Sequence, residues 1–253
     1  MKQLEKIPKS LQNIEKSPKK LYYKGDLSFL DKDIIAIVGS RRPNSYTKVL
    51  TNNLASALAK RNVFVISGGA MGVDALAHKG AYPKTISVMG NSLDIIYPKV
   101  NQKLIKDMEQ NCLVLSEYEP NTKASPWSFV ERNRIVVGLA KAVIIAQADE
   151  KSGSMHSAKI AIKQKKPLFV LPQRLEESRG TNKLLSDGKA KLIYDIDKFC
   201  DMFGKINEDY DEIIEFCKKE TSLEKCLKKF GDKIYEYDLD GKIKIDNLRI
   251  KVL

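Results

Sequence analysis

Residues 63–78 read VFVISGGAMGVDALAH, and this stretch decides the class of fold. Its first five residues are an apolar run of strand length, and they pass directly into a turn that contains three glycines. Small and apolar residues at helical spacing then follow. A strand, a glycine turn and a helix in this order form the unit of a parallel sheet with helical crossovers. The same unit begins at residue 34, where IIAIV runs into Gly39-Ser40-Arg41.

The unit recurs along the chain. Further apolar runs of strand length occupy 85–89, 112–116, 142–146, 167–171 and 191–194. Helices are expected near 45–60, from 73, near 101–110, near 131–140 and near 154–165. Because apolar strands that alternate with amphipathic helices are buried on both faces, the pattern predicts an α/β fold. We expect an extended Rossmann-like parallel sheet with helices on both faces.

Three regions are expected. Residues 1–30 are rich in lysine and read as an N-terminal basic arm that packs along the domain. Residues 31–206 hold the Rossmann-like domain. Residues 207–253 predict three short helices, at 208–220, 222–230 and 232–241, and then a hairpin that turns at Asp246-Asn247. This order of elements is the outline of a small winged-helix-like domain.

Charge is the unusual feature of the composition. The 253 residues carry 44 Lys and Arg against 32 Asp and Glu, a net charge of +12, which favours a polyanionic partner. Residues 207–253 hold 10 basic and 12 acidic side chains, so that segment carries −2 and residues 1–206 carry +14. The last expected helix contains Asp232, Glu236, Asp238 and Asp240, which would repel phosphate. The tail is therefore expected to contact protein or to be structural, whereas DNA binding is expected in the Rossmann-like domain.

Several classes of protein are excluded by simple counts. No apolar run approaches the roughly 20 residues of a membrane helix, and the first 20 residues contain no apolar segment typical of a secretion signal. The four cysteines are scattered without a CxxC pair, so neither a zinc site nor a disulfide framework is indicated. We expect a soluble, cytoplasmic protein with no membrane insertion, no metal and no cofactor. The two histidines, His78 and His156, are expected on ordinary helix surface or in packing.

Glycines and small polar residues cluster where the expected strands end. Gly68, Gly69 and Gly72 free backbone N–H groups for an anion at the start of a helix, although Asp74 could instead cap that helix. Lys151-Ser152-Gly153-Ser154 places a cation and small donors at another helix start, where a serine could also serve as a cap. Asn182 belongs to a last turn of this type. Because ligands bind at the carboxyl ends of parallel strands, these turns are expected at one edge.

A third motif combines arginines with aromatic residues. Arg132 and Arg134 flank Asn133, and Trp127 and Phe129 come shortly before them in an expected loop. Aromatic rings interleaved with guanidinium groups suit single-stranded nucleic acid, because bases stack on the rings while the cations hold phosphates. Packing against the core is the favoured interpretation for Trp127, and for Phe129 both interpretations stay open.

Seven spaced motifs together resemble the DNA-processing protein A family, also called DprA or Smf. The resemblance covers roughly residues 34–195. Its motifs are GSR at 39–41, SGGAMGVDALAH at 67–78, YP at 97–98, SEYEP at 116–120, ERNRIVVGLA at 131–140, SGSMHSA at 152–158 and GTNKLLSDG at 180–188.

The resemblance implies a protein that binds single-stranded DNA without sequence preference and is not an enzyme. It implies protection of incoming strands and delivery of RecA recombinase during natural transformation, with homodimerisation through the Rossmann-like domain. The residues that the motifs assign to the strand are Gly39, Ser40, Arg41, Ser67, Gly68, Gly69, Gly72, Arg132, Asn133, Arg134, Ser152, Gly153 and Ser154; Phe129, Lys151 and Asn182 are added from the residue pattern.

The sequence departs from the family pattern at three positions. Val130 stands where proline is common, Gln147 where glutamate is common, and Gln173 where glycine is common. These departures concern the shapes of neighbouring loops more than the expected phosphate contacts.

Two alternatives stay open. A phosphoribohydrolase-like enzyme on a related fold would need a glutamate after its glycine turn, and this stretch offers no carboxylate beyond Asp74. A nucleotide-sensing module would use the same pocket with a free nucleotide as its ligand.

Overall fold

The computed structural model describes residues 1–206 and 211–253, which divide into two compact units, Met1–Lys205 and Ile206–Leu253. In the first unit the strands are β1 (Lys2–Gln3), β2 (Tyr22–Gly25), β3 (Ile34–Val38), β4 (Phe64–Gly68), β5 (Thr85–Val88), β6 (Leu113–Ser116), β7 (Ala142–Ile145), β8 (Leu168–Val170) and β9 (Lys191–Leu192). Its helices are α1 (Lys9–Gln12), α2 (Ser45–Lys60), α3 (Val73–Ala81), α4 (Gln102–Asn111), α5 (Pro126–Leu139), α6 (Gly153–Lys163), α7 (Arg179–Ser186) and α8 (Ile196–Asp201).

One nine-stranded sheet organises the first unit, in the order β1-β2-β6-β5-β4-β3-β7-β8-β9. Strands β3 to β9 are parallel, whereas β1 and β2 pair antiparallel at one edge. The chain winds outward from β3 in both directions, so the strand order reverses between β3 and β7. Such a reversal leaves a crevice at the carboxyl ends of the two strands. The predicted extended Rossmann-like sheet is confirmed.

Strand β3 shows how the core forms. All five of its side chains are buried. Because successive side chains of a strand point to opposite faces, Ile34, Ala36 and Val38 join the core on one face, with residues of α5 and α6. Ile35 and Ile37 join the core on the other face, with residues of α2 and α3. A strand enclosed on both faces has to be apolar throughout, as IIAIV is.

Residues 1–30 pack along the domain, and their strands β1 and β2 extend the sheet at one edge. β2 pairs with β6, and Leu4, Leu11 and Leu21 are buried in the core. Leu11 packs so closely on α5 that a Cβ at Gly138 would lie 2.5 Å from its Cδ2. The apolar residues in this lysine-rich segment are few, but they are the ones that anchor it.

Helix α5 begins earlier than its predicted start near residue 131. Ser125 and Ser128 form a capping box, and Pro126 occupies the first turn, where its missing N–H costs nothing. Trp127 and Phe129 therefore lie on the first turn of a helix and not in a loop. Trp127 is 65% exposed, so the expectation that it packs against the core is wrong.

The second unit contains the predicted three helices and hairpin, apart from residues 208–210 of the first expected helix, which lie outside the described residues. The elements are α9 (Glu212–Cys217), α10 (Leu223–Phe230), α11 (Lys233–Leu239), β10 (Ile243–Asp246) and β11 (Arg249–Val252). Asp246 pairs with Arg249, so the hairpin turns at Asn247-Leu248, one residue later than predicted. Asp232, Glu236 and Asp240 are exposed, while Asp238 accepts a hydrogen bond from the Ile245 amide (2.8 Å).

All four cysteines are buried as thiols, and no disulfide joins any two of them. Within the described residues, no helix has the combination of length and apolar character that crossing a bilayer requires.

Candidate nucleic-acid interface

A cleft of about 440 Å³ opens at the carboxyl ends of β3 and β7, beside the turn that follows β4. This is the crevice that the reversal of strand order creates. We call it the cleft throughout. Its lining residues are Val38, Gly39, Ser40, Arg41, Ala70, Asp74, Pro126, Phe129, Val130, Arg132, Asn133, Asp149, Ser152, Gly153, Ser154 and Ser157.

The first wall is the turn after β3. The Ser40 amide donates to the Gln147 carbonyl (2.8 Å), and the Ser40 carbonyl accepts from the Val73 amide (3.1 Å). Gly72 makes this packing possible, because its φ is +76° and a Cβ there would lie 2.4 Å from the Ser40 oxygen. The turn is thus held between β7 and the start of α3.

Arg41 stands at the mouth of the cleft over an aromatic surface. Its side chain is exposed, and Cζ lies 5.2 Å from the centroid of the Phe129 ring. The Phe129 ring is half-buried and lies 5.7 Å from the Tyr97 ring, centroid to centroid. An exposed cation above a ring offers one group for a phosphate and one surface for a base.

Arg132 forms the floor. It is 3% exposed, and its guanidinium lies directly on Gly68, where a Cβ would fall 1.6 Å from Nη1. Its Nε has no hydrogen-bond partner among the described residues. A buried donor without a partner is costly and calls for a ligand or water. Burial lowers the pKa of Arg132, and the nearby Asp74 carboxylate opposes that effect.

Asp74 is the acid nearest to this arginine. Burial raises its pKa to about 6, although the charge of Arg132, a contact with the Ser67 side chain and a hydrogen bond from the Ala70 amide act in the opposite direction. Asp74 lies in the first turn of α3, whose N-cap residue is Gly72. A carboxylate in that position also interacts favourably with the helix N-terminus, so its role as a cap stays an alternative.

The second wall of the cleft is the N-terminus of α6. Ser152 is the N-cap residue, but its side chain makes no capping hydrogen bond, and its Oγ is buried without a partner. The Oγ of Ser157, one turn further, is also buried without a partner. Open space surrounds the position of a Cβ on Gly153. Hydroxyl donors and free backbone N–H groups at a helix N-terminus form an anion site.

The unpartnered atoms are concentrated here. Six buried side-chain polar atoms lack a partner among the described residues, and three of them belong to the cleft: Arg132 Nε, Ser152 Oγ and Ser157 Oγ. Buried polar groups in proteins are nearly always hydrogen-bonded. This concentration indicates that the cleft is shaped for a hydrogen-bond acceptor.

Nine of the sixteen residues predicted for the strand line the cleft together, namely Gly39, Ser40, Arg41, Phe129, Arg132, Asn133, Ser152, Gly153 and Ser154. Four others lie behind it and hold its walls. Ser67 donates to the Ile37 carbonyl (2.6 Å), Gly68 and Gly72 accommodate close neighbours, and the carbonyl of Gly69 accepts from Asn101 Nδ2 (3.1 Å).

Arg134 lies elsewhere. Its guanidinium makes a bidentate ion pair with Glu117 (2.6 and 2.5 Å), and its Nε donates to the Lys16 carbonyl (2.7 Å). Residues two apart on a helix do not share a face, so Arg132 and Arg134 cannot both face the cleft. The prediction that both arginines contact one DNA strand is therefore wrong for Arg134, because it did not consider the helical spacing of the two residues.

Lys151 and Asn182 also do not line the cleft. Lys151 is exposed in the turn before α6. Asn182 Nδ2 donates to the carbonyls of Arg174 (3.0 Å) and Leu175 (3.2 Å), so this side chain fastens its own loop.

Sequence reasoning missed Ser157 and Asn101. Ser157 lies three residues after Ser154, a helical spacing that puts both on one face and could have been noticed. Asn101 donates to the carbonyls of Gly69 and Ala70 across 31–32 residues of sequence, and no local pattern indicates that.

The two glutamines that depart from the family pattern fasten loops around the cleft. Gln147 Oε1 accepts from the Asn44 amide (3.0 Å). Gln173 Nε2 donates to Thr47 Oγ1 (2.7 Å) and to the Ala146 carbonyl (2.9 Å). Their bonds hold the loop after β8 and the start of α2 beside β7.

His78 is buried behind the cleft and serves packing. Its Nε2 faces the Gly68 carbonyl (2.9 Å) and its Nδ1 faces Thr85 Oγ1 (2.7 Å). Because a carbonyl can only accept, Nε2 carries the proton of the neutral ring. Burial lowers the pKa of His78 to about 4. Within the described part of the chain, no three His, Cys, Asp or Glu side chains are placed to hold a metal ion.

Comparison with known proteins identifies a family and similar relatives. A family model described as DNA recombination-mediator protein A matches residues 1–204. The chain is 35% identical over 214 residues to the DNA processing protein DprA of Bacillus subtilis, covering 82% of this chain and 72% of that protein.

Two solved structures are similar to the first unit. One is of DNA processing protein A from Helicobacter pylori and concerns its single-stranded DNA binding mode; it has 51% identity and a TM-score of 0.78, covering 79% of this chain and 94% of that one. The other is of DprA from Streptococcus pneumoniae, with 33% identity and a TM-score of 0.74, covering 79% of this chain and 71% of that one.

Proposed function

The chain belongs to the DNA recombination-mediator protein A family, and from that premise we propose that its cleft binds single-stranded DNA without sequence preference. The observation that carries the proposal is the set of three unpartnered buried polar atoms at the N-terminus of α6 and on Arg132. They match phosphate oxygens, which accept several hydrogen bonds at once. The similar H. pylori structure concerns single-stranded DNA binding, which supports the same ligand.

The geometry favours a strand over a free nucleotide. One phosphate would meet Arg132 on the floor and the two serines of α6, while Arg41 and Phe129 at the mouth would meet a second phosphate and a base. Contacts to backbone and to ring faces carry no sequence information. We therefore propose affinity that rises with strand length and does not depend on sequence.

We propose binding without catalysis. Asp74 is 7% exposed and interacts electrostatically with Arg132, an arrangement that suits a structural counter-charge. Release of base from nucleoside monophosphates, abolished by Asp74→Asn, would contradict this and favour the phosphoribohydrolase-like alternative. Equal affinity for a mononucleotide and a long oligonucleotide would favour the nucleotide-sensing alternative.

The cellular role is proposed from family membership. We propose that the chain protects incoming strands, loads RecA recombinase during natural transformation, and forms a homodimer through the Rossmann-like unit in the cytoplasm. Sedimentation of the purified chain tests the dimer. Co-purification with RecA, and RecA assembly on strands already covered by this chain, test the loading role.

The deciding experiment compares two neighbouring arginines. Arg41 lines the cleft, whereas Arg42 is equally exposed and does not line it. Binding of fluorescent oligo-dT is followed by anisotropy at several salt concentrations, with duplex DNA as a competitor. Log affinity should fall with log salt by about 0.7 per phosphate contacted.

Arg41→Ala should weaken binding to all single-stranded sequences alike and reduce the salt slope, while Arg42→Ala should leave both nearly unchanged. No length-dependent binding by the unaltered chain would overturn the proposal. Equal losses for Arg41→Ala and Arg42→Ala would show that general surface charge, and not the cleft, holds the strand.

A further inference from the structure

A second groove adjoins the cleft at Val130. It lies between α5, α6 and the segment 13–16, and its volume is about 440 Å³. We call it the outer groove. Its lining residues are Asn13, Ile14, Glu15, Lys16, Trp127, Val130, Glu131, Arg134, His156, Lys159, Ile160, Lys163 and Gln164. The cleft and the outer groove share Val130 and are both bordered by α5 and α6.

Trp127 is the exposed aromatic residue of this groove. It is 65% exposed on the first turn of α5, and Lys16 Nζ lies 6.0 Å from its ring centroid. The indole therefore contributes little to the core, although exposing so large an apolar ring has a cost in water. A nucleobase can stack on such a ring face while the neighbouring cation contacts the phosphate of the same nucleotide.

The charges of the groove favour a polyanion. Four cationic side chains line it against two carboxylates. Lys163 pairs with Glu15 (2.6 Å) and Arg134 pairs with Glu117, which leaves two cations, Lys16 and Lys159, against one carboxylate, Glu131, without an ion-pair partner among the described residues. Both lysines are exposed, so they can move to meet a phosphate.

Gln164 adds an unfilled hydrogen-bonding position. Its Oε1 is buried and has no partner within the described part of the chain. An amide oxygen can only accept, so the missing partner is a donor such as the amino or imino group of a base. Apolar walls, a ring face, two free cations and one acceptor together suit a nucleotide better than an apolar ligand.

The turn that carries Lys16 is held in place. Arg134 Nε donates to the Lys16 carbonyl, and Lys16 has a φ of +53°, a conformation that needs such support. The structural role of Arg134 is thus to position one wall of the outer groove.

We propose that the outer groove is a second nucleotide subsite for the same DNA strand, which leaves the cleft past Val130 and stacks a base on Trp127. This inference rests on the proposed function, since it extends the path of a strand held in the cleft. Lys16 and Lys159 then contact phosphates that follow that base.

Trp127 is the sole tryptophan of the chain, so tryptophan emission reports on the first turn of α5, where this subsite lies. Oligo-dT of about twenty nucleotides, labelled at one end, is titrated against the chain with two readouts: anisotropy of the label and emission of Trp127. Binding should raise the anisotropy and quench the tryptophan over the same concentration range.

Trp127→Ala should weaken binding by about tenfold, since stacking on an aromatic ring is of that size per base. Trp127→Phe should restore most of the affinity. Lys159→Ala should reduce the salt slope by about 0.7. Lys106→Ala on α4, an exposed lysine outside both grooves, serves as the control and should change neither quantity.

Full affinity in Trp127→Ala would overturn the subsite, even if binding quenches Trp127 in the unaltered chain, and would leave the proposed function standing. The outer groove would then suit a protein partner or a small ligand. No anisotropy change with the unaltered chain would instead remove the proposed function itself.

Discussion

Replacing Gly68 by alanine tests the floor of the cleft without removing a charge. A Cβ at Gly68 would lie 1.6 Å from Arg132 Nη1 and 2.1 Å from Nη2, whereas real Cβ contacts are not shorter than about 3.0 Å. The guanidinium must therefore retreat by more than 1 Å. Because a charge-assisted hydrogen bond is effective only near 2.8 Å, its bond to a phosphate should be lost.

A hydrogen bond to a charged group contributes about 1.5–3 kcal/mol, so Gly68→Ala should weaken oligo-dT binding about ten- to a hundredfold. The salt slope should fall by about 0.7, the loss of one phosphate contact. Arg132→Met removes the same donor by another route and should give a similar loss. Fluorescence anisotropy measures both effects, and circular dichroism verifies that each variant is folded.

Gly69→Ala is the matched control. Its Cβ would meet the Met89 side chain at 2.7 Å, a flexible thioether that can move aside, and it would not contact Arg132. It should therefore bind nearly as the unaltered chain does. Unchanged affinity in Gly68→Ala, or equal losses for Gly68→Ala and Gly69→Ala, would refute the assignment of Arg132 as a phosphate donor.

Two further predictions concern stability. Arg134→Met leaves the mostly buried Glu117 carboxylate without its partner and should lower the free energy of unfolding by about 3 kcal/mol in urea titrations, the lower end of the range for a buried pair. Lys141→Met, which breaks an exposed pair with Asp33, should cost under about 1 kcal/mol, and similar values for both variants would contradict this reasoning. His78 has a folded pKa of about 4, below its ordinary 6.5, so the unfolded chain takes up the proton first and stability is lost as the pH falls from 6.5 towards 4. Relative to the unaltered chain, His78→Asn should therefore gain about 3 kcal/mol over that range, and a pH-independent difference would show that the imidazole is not held neutral.

The two arginines of the motif at 132–134 have different roles because they lie on different faces of α5. Arg132 and Arg134 are the same residue type on one helix, yet one meets Gly68 in the cleft and the other meets Glu117 on the opposite side. Helical phase separates them, and that much is local. Which of the two faces the cleft depends on how α5 packs on the sheet.

The sequence by itself determined the Rossmann-like sheet and the edge where the cleft lies. Apolar runs that end in glycine turns are local signals, since a strand buried on both faces must be apolar and a tight turn must accommodate close backbone. The family motifs added eight residues that the structure brings together in the cleft, and the pattern of aromatic and basic residues added Phe129. Each of these signals, whether an apolar run, a glycine turn or a motif, lies within a short stretch of sequence.

Only the tertiary structure decided which polar atoms lack partners, because that depends on every neighbour brought in from distant parts of the chain. Ser152 illustrates this: a serine before a helix normally caps it, yet here its hydroxyl remains free within the cleft. The outer groove depends on the same kind of information. Residues 13–16 reach α5 and α6 across more than a hundred residues of sequence, through bonds such as that between Arg134 and Lys16, and no local pattern predicts that packing.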